Sequence, residues 1–338
     1  MPTRILRSNT IANIADFGAQ SPGVPALNAA AFRRALAASR RIVIPAGLWN
    51  LAEILFDDDP WLPPEVEIFG EGPTQSVLVY QPVDPSVPLF WFRPDTQSPA
   101  RSTIRDLRLH GPVVPCIDVP PVGIGVSFEQ ALNCRVRDVS LWYFEVGVEF
   151  SRGVAPYSGY NVLERFEINA CRTGIRARDT TNGNTIQNGR IFYSLYQESE
   201  EGGENPTCVA RTVVAESGIG IDIEGTTSPW GPAGSSGLLV QGVQIETAVT
   251  CVRVVNAHQT TISGGYFEPF NAPPGLPMRR IFEISGSTGL VLQGTPSRRA
   301  AGRSTTRPGP RATSTRPPRI PRPSPGPRSR ARATSGPS

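Results

Sequence analysis

Residues 136–150 read VRDVSLWYFEVGVEF. Two short patterns lie in this stretch. The first, VRDVSL from Val136, has apolar residues at positions one, four and six and polar residues at two and three. The second, GVEF from Gly147, alternates, with Val148 and Phe150 on one side and Glu149 on the other. Alternation of this kind marks a strand, and the i, i+3, i+4, i+7 spacing of an amphipathic helix is missing.

Both patterns recur. The first returns as IRDLRL at Ile104, LERFEI at Leu163, IQNGRI at Ile186, VQGVQI at Val240 and ISGGYF at Ile262, in steps of 32, 27, 23, 54 and 22 residues. The second returns as GVSF at Gly125, GIRA at Gly174, GIDI at Gly220, CVRV at Cys251 and IFEI at Ile281. The two alternate in strict order. Repeats of this length, each with two short strands, predict a parallel β-solenoid whose coils stack on one another. A β-sandwich also supplies many short strands, but it does not explain a fixed order of two motif types.

The register can be tested within the sequence. Stacking the second strands puts their third residues in one column: Ser127, Glu149, Arg176, Asp222, Arg253 and Glu283. From Glu149 onward the charges alternate in sign. Stacked strands lie about 4.8 Å apart, so each charge faces its opposite, which favours pairing. Arg176 and Arg253 are therefore expected in a surface ion-pair ladder in which each pair adds little.

The first hundred residues differ. Residues 25–39, PALNAAAFRRALAAS, are alanine-rich and predict a helix. RIVIPAGLWNL (41–51) predicts strand, turn, strand, and VEIFGEG and SVLVYQ predict further strands. A solenoid exposes an apolar end that needs a cap, and the helix is placed to supply one.

NIADFGAQ, a helix, a strand ending in Pro45–Ala46–Gly47 and a strand ending in Gly70–Glu71–Gly72 resemble the opening of the pectate-lyase-like β-helix superfamily. The resemblance implies an all-β, right-handed parallel β-helix with an N-terminal capping helix. It is close over about residues 12–80. The domain is read as 1–295, with cap and first strands at about 12–50 and coils at about 65–294. The superfamily includes polygalacturonase-type hydrolases, pectate lyases and phage tailspike depolymerases. The resemblance thus implies a polysaccharide partner, pectin-like or another acidic glycan, cleaved by hydrolysis or by β-elimination. The alternative is a non-catalytic glycan-binding or structural β-helix. It also implies an extracellular or virion-associated setting and a monomer or homotrimer. The N-T-D, G-H-G and R-I-K motifs of the polygalacturonase branch are absent, so that chemistry does not carry over.

Composition separates body from tail. All 33 basic residues are arginine, and 11 of them lie in residues 296–338 with 10 prolines and no acid. Such a segment buries too little apolar surface to order itself and is expected to be disordered. The body keeps 22 arginines against 29 acids, which argues against nucleic acid as its partner. No apolar run reaches the roughly 18 residues of a membrane span, and the start shows no signal-peptide run. The five cysteines show no metal or CxxC spacing, and Cys134, Cys171 and Cys251 read as small buried residues.

Chemistry is sought at the residue following each first pattern: His110, Trp142, Asn169, Phe192, Glu246 and Glu268. Glu246 and Glu268 fall on successive coils, with backbones about 5 Å apart. Such carboxylates can act as acid and nucleophile in glycoside hydrolysis, bind calcium, or simply face solvent. Trp142 and Tyr266 can stack on sugar rings or pack on neighbouring coils. Glu198, Glu200, Glu201 and Glu204 lie in a loop that can supply calcium ligands or remain solvated. No cofactor other than calcium is suggested. His110 and His258 have no partner at triad or metal spacing.

Overall fold

The computed structural model describes residues 10–54, 62–93, 101–112, 121–150, 158–178, 181–192, 218–225, 237–269 and 280–294. Every strand pairing among them is parallel. The strands form a 15-stranded sheet, a 7-stranded sheet and a 2-stranded sheet. Each coil gives its first pattern to the largest sheet and its second to the 7-stranded sheet.

The first pattern is not one straight strand. Its third residue adopts a left-handed conformation in every coil: Asp106 at φ 57°, Asp138 at 53°, Arg165 at 48°, Asn188 at 53°, Gly242 at 62° and Gly264 at 60°. The strand therefore bends there, and the two arms line different sides of the coil. Gly, Asn and Asp take this conformation most readily, which is why the position is polar or glycine. Arg165 is the exception. Its Nε and Nη2 each lie 2.7 Å from the carboxylate of Asp138 one coil earlier, so a bidentate pair holds it. A seventh copy follows at Leu292–Gln293–Gly294, with Gly294 at φ 57° and Leu292 opposite Ile262.

Inward residues form continuous columns. Ile68, Ile104, Val136, Leu163, Ile186, Val240 and Ile262 stack in register, all buried. In the 7-stranded sheet Phe92, Phe128 and Phe150 stack with ring centroids 5.3 and 5.0 Å apart. That sheet begins with Pro88–Phe92, an unbroken apolar run that lacks the glycine of the four second-pattern strands that follow it. The glycines Gly125, Gly147, Gly174 and Gly220 let adjacent coils approach. A Cβ on any of them would sit 2.5–2.7 Å from the next coil's carbonyl oxygen.

At the turn entering the bent strand, buried asparagines tie coil to coil. Asn161 Oδ1 accepts from Cys134 N at 2.9 Å, and Asn184 Oδ1 accepts from Asn161 N at 2.8 Å. The ladder ends at Leu238 and Thr260, and the Thr260 hydroxyl has no partner among the described residues.

The helix forms as expected, at Pro25–Ala38, with Pro25 in its first turn. It buries Ala29, Ala31, Phe32, Ala35 and Leu36, and Phe32 reaches Phe90 at 6.1 Å. Buried Asn28 fixes it by bonding Gln20 N, Gln20 O and Asn50 O. The strands Ile11–Asn13, Arg41–Ile44 and Glu67–Gly70 continue the largest sheet beneath Thr103–His110, so cap and coils share one sheet. At the other end Ile284, Val291 and Leu292 are 42–47% exposed.

The expected charge column is present in register: Ser127–Glu149–Arg176–Asp222–Arg253–Glu283. Its placement at the surface needs correction. Glu149 and Asp222 are only 2% and 3% exposed, because neighbouring arginines and coils cover them. Arg176 Nη2 lies 2.6 Å from Glu149, while Asp222 takes both Arg178 at 2.7 Å and Arg253 at 2.9 Å. Breaking such pairs costs more than breaking exposed ones. Cys134, Cys171 and Cys251 are buried free thiols, each pushed up to about 12 by burial. Cys116 and Cys208 lie outside the described residues.

Candidate functional site

The second arms of the bent strands carry two adjacent columns on the side away from the buried row Leu109, Leu141 and Ile168, with Ser140 and Asn169 themselves buried. One reads His110, Trp142, Asn169, Phe192, Glu246, Glu268, in the register expected from the sequence. The other reads Arg108, Ser140, Glu167, Arg190, Gln244, Tyr266. Together they make a strip of aromatic, basic and acidic side chains with one rung per coil, about 4.8 Å each.

Glu246 and Glu268 are directly opposed on Gln244–Ala248 and Tyr266–Pro269. Just past Glu246 the register shifts between it and Ala248. Their partners differ. Arg190 Nη2 lies 3.0 Å from Glu246 Oε2, and Arg190 also stands over the Phe192 ring at 4.6 Å. The Tyr266 hydroxyl donates to Glu268 Oε2 at 2.6 Å. Glu246 therefore faces a cation, and Glu268 accepts a bond from a phenol hydroxyl. Unlike surroundings are what separate the roles of paired carboxylates. Tyr266 is thus tied to the carboxylate beside it and is only partly buried.

Trp142 is half-buried at the other end of the strip. Its indole Nε1 donates to Ser140 Oγ at 2.6 Å, and the Arg108 guanidinium lies over its ring at 4.5 Å. His110 packs 5.0 Å from Tyr143 and 6.5 Å from Trp142. The His110–Trp142 adjacency follows from the repeat register, but the place of Arg108 over the Trp142 ring does not, because side-chain reach between coils leaves no pattern in the spacing. His110 Nδ1 lies 2.7 Å from Gly111 O, which can only accept, so Nδ1 carries the proton and Nε2 is an acceptor in the neutral ring. Burial lowers the His110 pKa, and nearby Arg108 lowers it too, against the raising effect of the Gly111 bond.

Glu198, Glu200, Glu201 and Glu204 lie outside the described residues. Among the described residues no group of three or more His, Cys, Asp or Glu side chains could hold a metal ion. Calcium takes six to eight oxygen ligands, and Glu246 and Glu268, each already bonded to a donor, do not by themselves fit it. No helix of the described residues is long and apolar enough to cross a membrane.

The protein is a right-handed parallel β-helix, as the N-terminal resemblance implied. No family model matches the sequence, and no curated protein matches it. Solved structures do resemble it. The N-terminal fragment of gene product 12 of bacteriophage Phi29 is 14% identical over 85% of this chain, with a TM-score of 0.51. The A-module of a mannuronan C-5 epimerase from Azotobacter vinelandii is 17% identical, over 84% of this chain and 75% of its own, with a TM-score of 0.48. A galactohydrolase named for galactose-4-sulfate and 3,6-anhydro-D-galactose-2-sulfate is 12% identical, over 77% of this chain and 59% of its own, with a TM-score of 0.48. The chain spans about half, 52%, of the phage protein fragment. At such identities the shared property is the fold.

Proposed function

We propose that this β-helix is a carbohydrate-active protein that binds a polysaccharide along the outward strip and cleaves it near Glu246 and Glu268. The observation that carries this reading is the direct pairing of the two glutamates on adjacent coils with unlike partners, Arg190 and Tyr266. Carboxyl groups about 5 Å apart suit retaining hydrolysis, and a spacing of about 6.5–9.5 Å suits inversion. In the hydrolytic version one glutamate protonates the leaving oxygen and the other attacks the anomeric carbon or activates water. In the eliminative version one removes the C5 proton beside a uronate carboxylate, the C4–C5 double bond forms, and the C4–O bond to the neighbouring sugar breaks as the other glutamate protonates the leaving oxygen. The setting that goes with this reading is extracellular or virion-associated.

Release of reducing ends from a panel of neutral and acidic polysaccharides tests cleavage, and ultraviolet absorbance of unsaturated uronates singles out elimination. Glu246→Gln and Glu268→Gln are each expected to lower the rate at least about a hundredfold. Full activity in both variants would remove the site assignment. The second reading is a non-catalytic glycan-binding or structural β-helix. It is favoured by the hydrogen bonds that already engage both carboxylates. Binding without product from any member of the panel identifies it.

A further inference from the structure

We propose that Arg108, stacked on Trp142 and flanked by His110 and Tyr143, is a subsite for an oxyanion carried on a sugar, either a carboxylate or a sulfate. The inference rests on the polysaccharide reading above and adds the residues that hold an acidic group of the glycan and the end of the strip where they lie.

Described arginines on the sheets mostly meet carboxylates: Arg105 with Glu67, Arg165 with Asp138, Arg176 with Glu149, Arg190 with Glu246 and Arg253 with Asp222. Arg108 does not. Its neighbours across the sheet are Val77 on one side and Ser140 on the other. Its Nε is buried and has no hydrogen-bond partner among the described residues. The Nε of Arg137 is also without a partner, but Arg137 lies on the other arm of the bend and faces Glu164 across the strands. A half-buried guanidinium with no acid beside it is costly unless something supplies one.

The surroundings define what fits. The Arg108 guanidinium carbon lies 4.5 Å from the centre of the Trp142 ring, a cation–π contact that restrains the group. A fixed planar fork matches the two oxygens of a carboxylate or sulfate. Trp142 is itself anchored through Ser140, and the His110 and Tyr143 rings extend the aromatic surface beside it. Aromatic rings with polar tips suit a pyranose, whose faces are apolar and whose edge carries hydroxyls. Neutral His110 offers Nε2 as an acceptor for one of those hydroxyls. Trp142 and Glu246 are three rungs apart in one column, roughly 14 Å. An oligosaccharide of a few residues can therefore reach from this subsite to the glutamates.

The test measures binding of the full-length protein to three hexasaccharides by calorimetry: an oligogalacturonate, a sulfated galactan fragment and a neutral galactan fragment. Wild type is expected to prefer one or both acidic probes, with affinity falling as salt rises. Arg108→Gln should weaken acidic binding roughly 10- to 100-fold and leave the neutral probe within about twofold. Arg108→Lys, which keeps charge but loses the fork, should recover only part. The carboxylate and sulfate probes tell which oxyanion is held. Thermal unfolding of each variant controls for folding. Unchanged acidic binding in a folded Arg108→Gln variant, or neutral and acidic probes bound equally by wild type, overturns this subsite while the polysaccharide reading stands. No binding of any probe by wild type overturns both.

Discussion

Replacing Asp222 by Asn tests how strongly the buried ladder ties one coil to the next. Asp222 is 3% exposed on the strand Ile219–Glu224. Its Oδ2 accepts from Arg178 Nη2 at 2.7 Å and its Oδ1 from Arg253 Nη1 at 2.9 Å. The amide is almost the same shape, so packing is kept. One of its polar atoms becomes a donor and points at a guanidinium. A charge-assisted bond of about 1.5–3 kcal/mol is lost, and the other falls towards the roughly 1 kcal/mol of a neutral acceptor. Both arginines are about a quarter exposed and also reach Glu224, at 3.8 and 3.1 Å, so water and Glu224 recover part of the loss. The net expectation is a destabilisation of about 2–3 kcal/mol. Urea unfolding followed by far-ultraviolet circular dichroism measures it, at low salt and at about 1 M NaCl, where a buried pair is little screened. Asp138→Asn is the exposed comparison, since its partner Arg165 is 49% exposed. It should cost less than about 1 kcal/mol, and less again in salt. If Asp222→Asn also costs under about 1 kcal/mol, or if both variants respond alike to salt, the argument from burial is wrong.

Three other outcomes are expected. Gly147→Ala would put a Cβ 2.7 Å from Gly174 O, so it should cost about 1–3 kcal/mol and lower the melting temperature by several degrees. Asn184→Ala removes the acceptor for Asn161 N and the donor to Ser158 O, and should cost about 2 kcal/mol while speeding hydrogen exchange at the Asn161 amide. Burial would raise the Glu67 pKa, but hydrogen bonds from Arg41 and Arg105 outweigh it and the folded value lies below the unfolded one. The stability this contributes is present above the unfolded pKa and is lost as pH falls through the folded value. Glu67→Gln should therefore flatten the acid limb of the stability–pH curve measured by urea midpoints.

The coil arrangement was legible because every coil buries the same positions. Ile104, Val136, Leu163, Ile186, Val240 and Ile262 fill one column, and a one-residue slip would turn them to solvent. The charge column was legible for the same reason, and all four opposite-sign neighbours from Glu149 to Glu283 stack as expected. The bend was not, because a polar residue at position three reads equally well as the outward side of a straight strand. Pro88–Phe92 was missed because apolar residues on both sides of a strand erase the alternation. For the site, the register that opposes Glu246 and Glu268 followed from the repeats. The partners Arg190 and Tyr266, and the placement of Arg108 over Trp142, did not, because side-chain reach across coils leaves no trace in spacing.

The alternating signs of the charge column also impose a rule of parity on how this chain can grow or shrink. Removing the coil that carries Arg176 would set Glu149 against Asp222, two nearly buried carboxylates one strand apart. Removing that coil together with the one carrying Asp222 would set Glu149 against Arg253 and restore attraction. Coils should therefore be gained or lost in pairs, and a single-coil duplication should be tolerated only where its new neighbour carries the opposite charge.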